Sequence, residues 1–181
     1  MELSDLVGSL VKIKNYQATF VNLEFQNTSF RFDFIDKREF RLKIGTSAIL
    51  NYLDHHPLLL DYNEPMVTTY INSKPSNVDN FIAEVHSAID QVTSGWRNWI
   101  HYITDSSINF TLGNFMRNVK EGNGRLLVAP LSVTNLVIQI CERYHVDSKS
   151  FESKVVPKPK KLLLINTNYV IAENFRSHNS V

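Results

Sequence analysis

Residues 76–104 read SNVDNFIAEVHSAIDQVTSGWRNWIHYIT, and this stretch decides the predicted fold. Its large apolar side chains recur at intervals of three, four or one residue; they are Val78, Phe81, Ile82, Val85, Ile89, Val92, Trp96, Trp99, Ile100 and Ile103. Such spacing keeps one apolar stripe along a helix with about 3.6 residues per turn. Because the stripe continues across Thr93, Ser94 and Gly95, we predict one long helix over about residues 76–104, capped by Ser76.

Two further elements follow from the C-terminal half of the chain. A second apolar stripe at helical spacing consists of Val133, Leu136, Val137, Ile140, Cys141 and Tyr144. It predicts a second core helix over about residues 132–145, with Ser132 as its cap. Later, residues 162–165 and 169–175 are β-like runs on either side of the turn at 166–168, which predicts a C-terminal β-hairpin.

The N-terminal part alternates apolar and polar residues. The clearest case is FRFDF at residues 30–34, which places three rings on one face of a strand and two charges on the other. Similar β-like runs occupy residues 11–13, 20–25 and 40–44. We therefore predict an antiparallel β-meander within residues 10–44, whose aromatic face packs against the long helix.

Shorter patterns complete the prediction. They indicate a short helix over 47–54, strands at 58–60, 66–71 and 125–129, a helix over 112–119, and a polyproline-like connector at 155–161. Together they predict an α+β fold in a single domain over residues 1–181. Its expected parts are a β-rich 1–72, a helical 76–146, a connector and hairpin at 154–175, and a frayed tail at 176–181.

Composition limits the classes of protein that the chain can belong to. The formal net charge is +1 and 20% of residues are charged, so nothing in the total charge attracts nucleic acid or anionic lipid. No window approaches the run of about 18 apolar residues that a membrane helix needs. The first residues lack the apolar run of a signal peptide, and Cys141 is the sole cysteine. We expect a cytoplasmic protein with Cys141 as a buried thiol.

Asp54, His55 and His56 form the sharpest local motif. Carboxylate and imidazole groups bind divalent metals, and Asp61 and Glu64 are near enough in sequence to add ligands. The three residues resemble the Asp-His-His motif of a phosphoesterase superfamily that uses two manganese ions. The resemblance implies a metal-dependent hydrolase in which the ion lowers the pKa of a bound water.

The same resemblance implies aspartate-rich motifs upstream, and the sequence departs from it there. Residues 1–53 contain only Asp5, Asp33 and Asp36, none in a setting that fits such a motif. A solvated helix end is the alternative interpretation of the Asp-His-His run, because histidine is favoured near a helix C-terminus.

Other candidate catalytic groups have structural interpretations. His86 and Asp90 are four residues apart on the predicted long helix, so they can act as an oriented base or simply form a surface pair. His101 and His145 have no partner in the local pattern. Cys141 lies on an apolar stripe, which does not suit a reactive thiol.

Glycines at 122 and 124 suggest a phosphate-binding loop, but their context differs. They end a predicted helix and lead into a strand, whereas phosphate loops lead from a strand into a helix. We interpret Gly122–Arg125 as a helix stop. Ser132 lacks the motif of a nucleophilic serine. We expect no bound cofactor.

A basic segment lies at residues 154–161, with Lys154, Lys158, Lys160 and Lys161. These lysines can bind nucleic acid weakly, or simply keep a connector solvated. Trp96 and Trp99 either pack in the core or line a ligand pocket.

The functional hypothesis is a binding or interaction module without a catalytic centre of its own, because acid–base, nucleophile, metal and phosphate signatures are poor. Its partner would be a protein, a second copy of the chain, or an apolar small ligand. The expected docking surface is the C-terminal hairpin with the 154–161 connector, since an edge strand pairs readily with another chain. The alternatives are the metal-dependent hydrolase using Asp54, His55, His56 and Asp61, and weak nucleic-acid binding through the 154–161 lysines.

Overall fold

Six α-helices and eleven β-strands form across the part of the chain that the computed structural model describes, residues 2–155 and 158–178. The helices are α1 (Leu3–Leu6), α2 (Leu60–Asn63), α3 (Val78–Thr93), α4 (Ile100–Ile103), α5 (Leu112–Glu121) and α6 (Leu131–Arg143). The strands are β1 (Leu10–Tyr16), β2 (Phe20–Phe25), β3 (Thr28–Ile35), β4 (Glu39–Arg41), β5 (Ser47–Leu53), β6 (Met66–Ile71), β7 (Gly124–Pro130), β8 (Ser148–Glu152), β9 (Lys161–Ile165), β10 (Asn168–Ala172) and β11 (Asn174–His178). Short 3₁₀ helices lie at Pro57–Leu59 and Ser106–Ile108.

These elements confirm the predicted α+β class with a C-terminal hairpin: 33% of the described residues are helical and 38% are in strands of two antiparallel sheets. The chain divides into two compact units. The first, the discontinuous unit, consists of the chain up to Leu59 together with the chain from Lys158 onward. The second, the inserted unit, lies between these two segments and begins at Leu60. None of the helices in the described residues is long and apolar enough to cross a membrane.

The discontinuous unit is built on an eight-stranded sheet in the order β11-β3-β2-β1-β5-β9-β10-β4. The meander is confirmed for β1, β2 and β3, which pair in sequence order. Its inward residues alternate with exposed ones, as with Val11 and Ile13 in β1. They form a core with side chains from the late strands, including Leu163 and Val170. The prediction that the meander packs on the long helix is therefore wrong. The buried side chains of the meander pack instead against those of the C-terminal strands.

The predicted fourth strand of the meander, at 40–44, is wrong. Only Glu39–Arg41 is a strand, and it pairs with β10. The change of direction follows from Asp36, which adopts a left-handed φ of 48°, and from Arg38, whose N–H donates to the carbonyl of Ile171. The chain thereby leaves β3 and joins the C-terminal hairpin.

Residues 47–54 form a strand and not the predicted short helix. Strand β5 lies between β1 and β9, with Leu10 opposite Ile49 and Leu50 opposite Ile165. Such pairing with distant segments overrides a weak local helical pattern. The predicted strand at 58–60 is also wrong: the chain turns through a 3₁₀ helix into α2, with the N–H of Leu59 donating to the carbonyl of His56.

The C-terminal segment is more ordered than predicted. Residues 174–178 form β11, which pairs with β3, so the predicted frayed tail is wrong for 176–178, while 179–181 lie outside the described residues. Within the predicted connector, Lys161 already begins β9, and residues 156–157 lie outside the described part. The predicted hairpin is confirmed as β9 and β10, but each of these strands has neighbours on both sides and neither is an edge.

The inserted unit combines helices with a sheet in the order β7-β6-β8. The predicted strands at 66–71 and 125–129 are confirmed as β6 and β7, and the helix at 112–119 as α5. Strand β8 was not predicted from the sequence. Buried side chains of α3, including Phe81 and Val85, form one core with residues of the sheet such as Ile71 and Leu127.

The single long helix predicted over 76–104 is wrong. Helix α3 ends at Thr93, because Ser94 and Gly95 adopt left-handed φ angles of 49° and 71°. The Thr93 hydroxyl then donates to the carbonyl of Arg97 at 3.0 Å, and the chain resumes as the short α4. The start is also displaced, since Asn77 and not Ser76 caps α3. The apolar spacing continues across the break because residues on both sides reach the same core.

The second core helix is confirmed as α6. Its predicted cap is wrong, because Pro130 occupies the N-cap position. Ser132 instead donates its backbone N–H to Oε2 of Glu64 at 2.8 Å. A carboxylate in that place stabilises the helix N-terminus, which carries partial positive charge.

Candidate functional site: a polar pocket of the inserted unit

A pocket of about 380 Å³ opens beside helix α4 of the inserted unit. Its lining combines polar groups after the α3 break with two apolar residues of the sheet, namely His101, Tyr102, Thr104, Asp105, Ser106, Met66 and Val128. The break at Ser94 and Gly95 is what places this segment against strand β7, because a continuous helix would carry residues 101–106 away from it.

Asp61 organises the groups behind the pocket. Its Oδ1 accepts a hydrogen bond from the Tyr102 hydroxyl at 2.9 Å. Its Oδ2 lies 2.9 Å from Nε of Arg97 and 3.2 Å from Nε2 of His101. Neither contact to Oδ2 has hydrogen-bond alignment, so the Arg97 contact is an ion pair and the His101 contact is a close approach without a hydrogen bond. The Asp61 and Arg97 side chains are only 11% and 13% exposed, whereas that of His101 is 51% exposed, so His101 is the member that a ligand can reach.

The Tyr102 hydroxyl is held in its neutral form. Burial raises the pKa of Tyr102 far above its ordinary value, and the nearby Asp61 carboxylate raises it further. The phenol therefore stays protonated and acts as a fixed donor to Asp61. The tyrosine ring itself is 1% exposed, so it shapes the pocket wall without offering a stacking surface.

Asp105 supplies the ionised group of the lining. Its Oδ1 accepts hydrogen bonds from the hydroxyl and the N–H of Ser107, at 2.6 and 3.0 Å. Its Oδ2 lies 3.1 Å from the Arg125 guanidinium, which also stacks over the Phe110 ring. The Ser107 hydroxyl, followed by Arg125, lowers the pKa of Asp105, so the carboxylate remains charged at neutral pH.

The Asp-His-His residues lie in the discontinuous unit. His56 accepts a hydrogen bond at Nδ1 from the N–H of Leu58 at 3.2 Å, and burial lowers its pKa. Asp61, the expected additional ligand, belongs instead to the cluster with Arg97 described above. No group of three His, Cys, Asp or Glu side chains in the described residues is placed to hold a metal ion. The hydrolase hypothesis stays a prediction without a formed metal site.

His86 and Asp90 form the surface pair that their spacing indicates. Their side chains are 3.3 Å apart and about half exposed. The His86 ring lies 5.0 Å from the ring of Trp99, which in turn makes an edge contact with Phe115. This arrangement packs the end of α3 and does not converge on a pocket.

The remaining sequence candidates have structural roles. Cys141 is buried, and burial raises its pKa to about 11, so it stays a thiol. Gly122 ends α5 with a left-handed φ of 71°, as predicted. In the basic segment, Lys160 is 3% exposed and lies 2.6 Å from Asp36 and 3.3 Å from Glu173. Lys160 is therefore not available to contact phosphates.

The sequence did not reveal the His101–Asp61 contact. The two residues are 40 positions apart, on either side of β6 and α3, and no local motif joins them. His101, judged to be without a partner from its helical position, acquires one because α3 ends early. The signal in the sequence was Gly95 directly after Ser94, because glycine adopts left-handed φ angles readily and a helix often ends there.

Comparison with known proteins adds no assignment to this geometry. No protein-family model, no curated protein and no solved structure matches the chain. The pocket and its residues are therefore interpreted from their chemistry.

Proposed function

We propose that the protein is a binding module whose inserted unit takes a small polar ligand in the pocket beside His101. The observation that carries this proposal is the pair of ion-paired groups behind and within the pocket, Asp61 with Arg97 and Asp105 with Arg125. Side chains held in this way are fixed before a ligand arrives, which lowers the entropic cost of binding.

The size and the lining of the pocket support this proposal. Small-molecule sites generally have volumes of about 300–1,000 Å³, with a few fixed polar groups that set orientation. Five of the seven lining residues are polar. A polar ligand therefore fits this pocket better than the apolar ligand considered from the sequence.

Binding is favoured over catalysis by the state of Asp61. A carboxylate that assists a catalytic histidine must stabilise the imidazolium that forms during proton transfer. Here the charge of Asp61 is already compensated by Arg97 and by the Tyr102 hydroxyl. Little carboxylate charge is therefore left to help His101 abstract a proton.

Thermal unfolding with a panel of small metabolites tests the proposal. A ligand raises the unfolding temperature by mass action, with a stabilisation of about 2.7 kcal/mol at a hundredfold excess over its dissociation constant. The shift should disappear in Ser106→Trp, which places a large side chain in the pocket lining, and persist in Ser76→Trp, at another exposed serine of the inserted unit. A panel that gives no shift, or shifts equal in both variants, would contradict the proposal.

Edge strand β8 favours a second candidate function, self-association of the chain. This strand is one of the two outer strands of its sheet, and Phe151 on it is 59% exposed beside Tyr70, with ring centroids 6.0 Å apart. An exposed edge with an aromatic residue readily pairs with a second copy. Sedimentation velocity should show dimers that dissociate in Phe151→Lys but not in Ile108→Lys, a control at another exposed apolar residue; a monomer at every concentration excludes this candidate.

A further inference from the structure

The pocket offers mainly hydrogen-bond acceptors to a ligand. The Thr104 hydroxyl donates its proton to the carbonyl of Ile100 at 2.8 Å, which leaves its oxygen free only to accept. The Tyr102 hydroxyl is likewise used as a donor, because it donates to Oδ1 of Asp61 at 2.9 Å. Of the three hydroxyl groups that line the pocket, only that of Ser106 remains able to donate to a ligand.

The Asp105 carboxylate adds a charged acceptor. Ser107 saturates its Oδ1 with two hydrogen bonds, but Oδ2 receives a single one from Arg125. A carboxylate oxygen has about two lone-pair sites. One site on Oδ2 is therefore available to a donor from the ligand, and a hydrogen bond to an ionised group is stronger than one between neutral groups.

The charges around the pocket favour a cation. Carboxylates are contributed by Asp61, by Asp105 and by Glu64, whose charge acts on Tyr102, whereas the guanidinium groups are those of Arg97 and Arg125. Each guanidinium already lies against a carboxylate. An anionic ligand would face an excess of negative charge, while a cation would offset it.

Met66 and Val128 provide the apolar part of the lining. Val128 pairs with Thr68 in the antiparallel ladder, so it lies on the same sheet face as Met66, two positions along β6. Together they form a surface against which a short aliphatic chain can pack.

We propose that the ligand carries a protonated amino group on a short aliphatic chain, with the ammonium between Asp105 and Thr104 and the chain against Met66 and Val128. An ammonium group has three donors and no acceptor, which matches an acceptor-rich lining. The same chemistry occurs in a free alkylamine or diamine and in a lysine side chain of another protein. This inference rests on the proposed ligand-binding function of the pocket.

Isothermal titration of the full chain with matched probes tests the ligand class. The probes are n-butylamine, 1,4-diaminobutane, Nα-acetyl-lysine N-methylamide, n-butanol and butyrate, which share chain length but differ in charge and donors. We expect the amines to bind and the alcohol and the carboxylate not to bind. Tighter binding of 1,4-diaminobutane indicates a free amine as the natural ligand, and tighter binding of the lysine derivative indicates a protein side chain.

Substitutions locate the ammonium. Asp105→Asn should weaken amine binding by about tenfold or more, because it removes a charge-assisted hydrogen bond, whereas Asp79→Asn, at an exposed carboxylate on α3, should leave it unchanged. If Asp105→Asn does not fold, Ser106→Lys provides the same test, since its own ammonium should occupy the site and compete. Ser76→Lys is its control.

The outcomes separate the two proposals. Binding of butanol or butyrate that Ser106→Trp abolishes, with no binding of amines, would overturn the amine class and leave the pocket as the binding site. Amine binding that is unchanged in both Asp105→Asn and Ser106→Lys would overturn the assigned position. If no probe binds and the metabolite panel also gives no shift, the proposed function itself fails.

Discussion

At Lys160 a charged side chain is almost wholly enclosed. Its ammonium lies between the carboxylates of Asp36 and Glu173, at the point where the chain re-enters the discontinuous unit. Asp36 follows β3 and Glu173 separates β10 from β11, so one lysine ties together three segments that are distant in sequence. Burial of a charge is favourable only when opposite charges compensate for the lost hydration.

Replacement of Lys160 by Met is therefore predicted to destabilise the protein. The methionine keeps the apolar length but removes the ammonium between the two carboxylates, and among the described residues Asp36 then retains only its exposed pair with Arg38. We expect the free energy of unfolding to fall by about 2 kcal/mol, measured by urea denaturation. Lys158→Met, at an exposed lysine, serves as the control and should have no measurable effect. Equal stability of the two variants would show that Lys160 is not an anchor.

Tyr102 gives a pH-dependent prediction. Its pKa is raised in the folded state by burial and by Asp61, so it contributes stability that is fully present below the unfolded pKa of about 10. This contribution is lost as the pH rises above that value. The difference in unfolding free energy between the wild-type protein and Tyr102→Phe should therefore be constant near neutral pH and shrink above about pH 10. A difference that does not change with pH would contradict a buried, neutral Tyr102.

At the scale of elements, the end of α5 is set by a close approach of two backbones. A Cβ atom at Gly122 would lie 2.2 Å from the backbone nitrogen of Lys74, in the segment between β6 and α3. The left-handed φ at Gly122 adds strain for any other residue. This close approach fixes the end of α5 beside the segment that leads into α3. It thereby helps to position the sheet that carries Met66 and Val128 of the pocket lining.

Gly122→Ala is predicted to reduce the free energy of unfolding by about 3 kcal/mol, because strain and steric overlap act together. Gly95 has the same φ of 71°, but a Cβ atom there meets nothing within 4 Å. Gly95→Ala should therefore cost only about 1 kcal/mol. Urea denaturation of both variants separates the two effects, and equal losses would rule out the close approach.

Elements were predictable from the sequence where local signals agree with long-range pairing. Helix α6 and strands β2 and β3 have strong periodicity, and α5 has a glycine at its end, so the sequence was sufficient to predict them. Strand β5 was predicted as a helix, because its conformation depends on pairing with β1 and β9. The break after α3 was missed because apolar spacing shows which residues are buried, and it does not show whether the helix between them is continuous.

For the whole molecule, the buried residues of the described chain form two cores, while the single domain over residues 1–181 stays a prediction. The discontinuous unit has a core of sheet residues, and the inserted unit has its own core of helix and sheet residues. The sequence did not indicate this division, because β9 to β11 complete a sheet begun by β1 to β5. The pocket could not be predicted from the sequence either, because its lining residues come from three separate segments, namely β6, β7 and the segment after α3.

Residues 60–155 expressed alone are predicted to fold. Both tryptophans, Trp96 and Trp99, lie in this segment, so their fluorescence reports on the inserted unit in the fragment and in the full chain. We expect a cooperative unfolding transition of this fluorescence in the fragment. A fragment that lacks such a transition would instead support the single-domain interpretation of residues 1–181.

The most direct test of ligand binding at the pocket is to map the position of a bound ligand by nuclear magnetic resonance. The full chain, labelled with ¹⁵N and with ¹³C methyl groups, is titrated with the ligand that gives the largest thermal shift. We predict that perturbed resonances are concentrated at residues 101–106 and at the methyl groups of Met66 and Val128. Perturbations confined to residues 2–59 and 158–178 would contradict it, because the ligand would then bind outside the inserted unit.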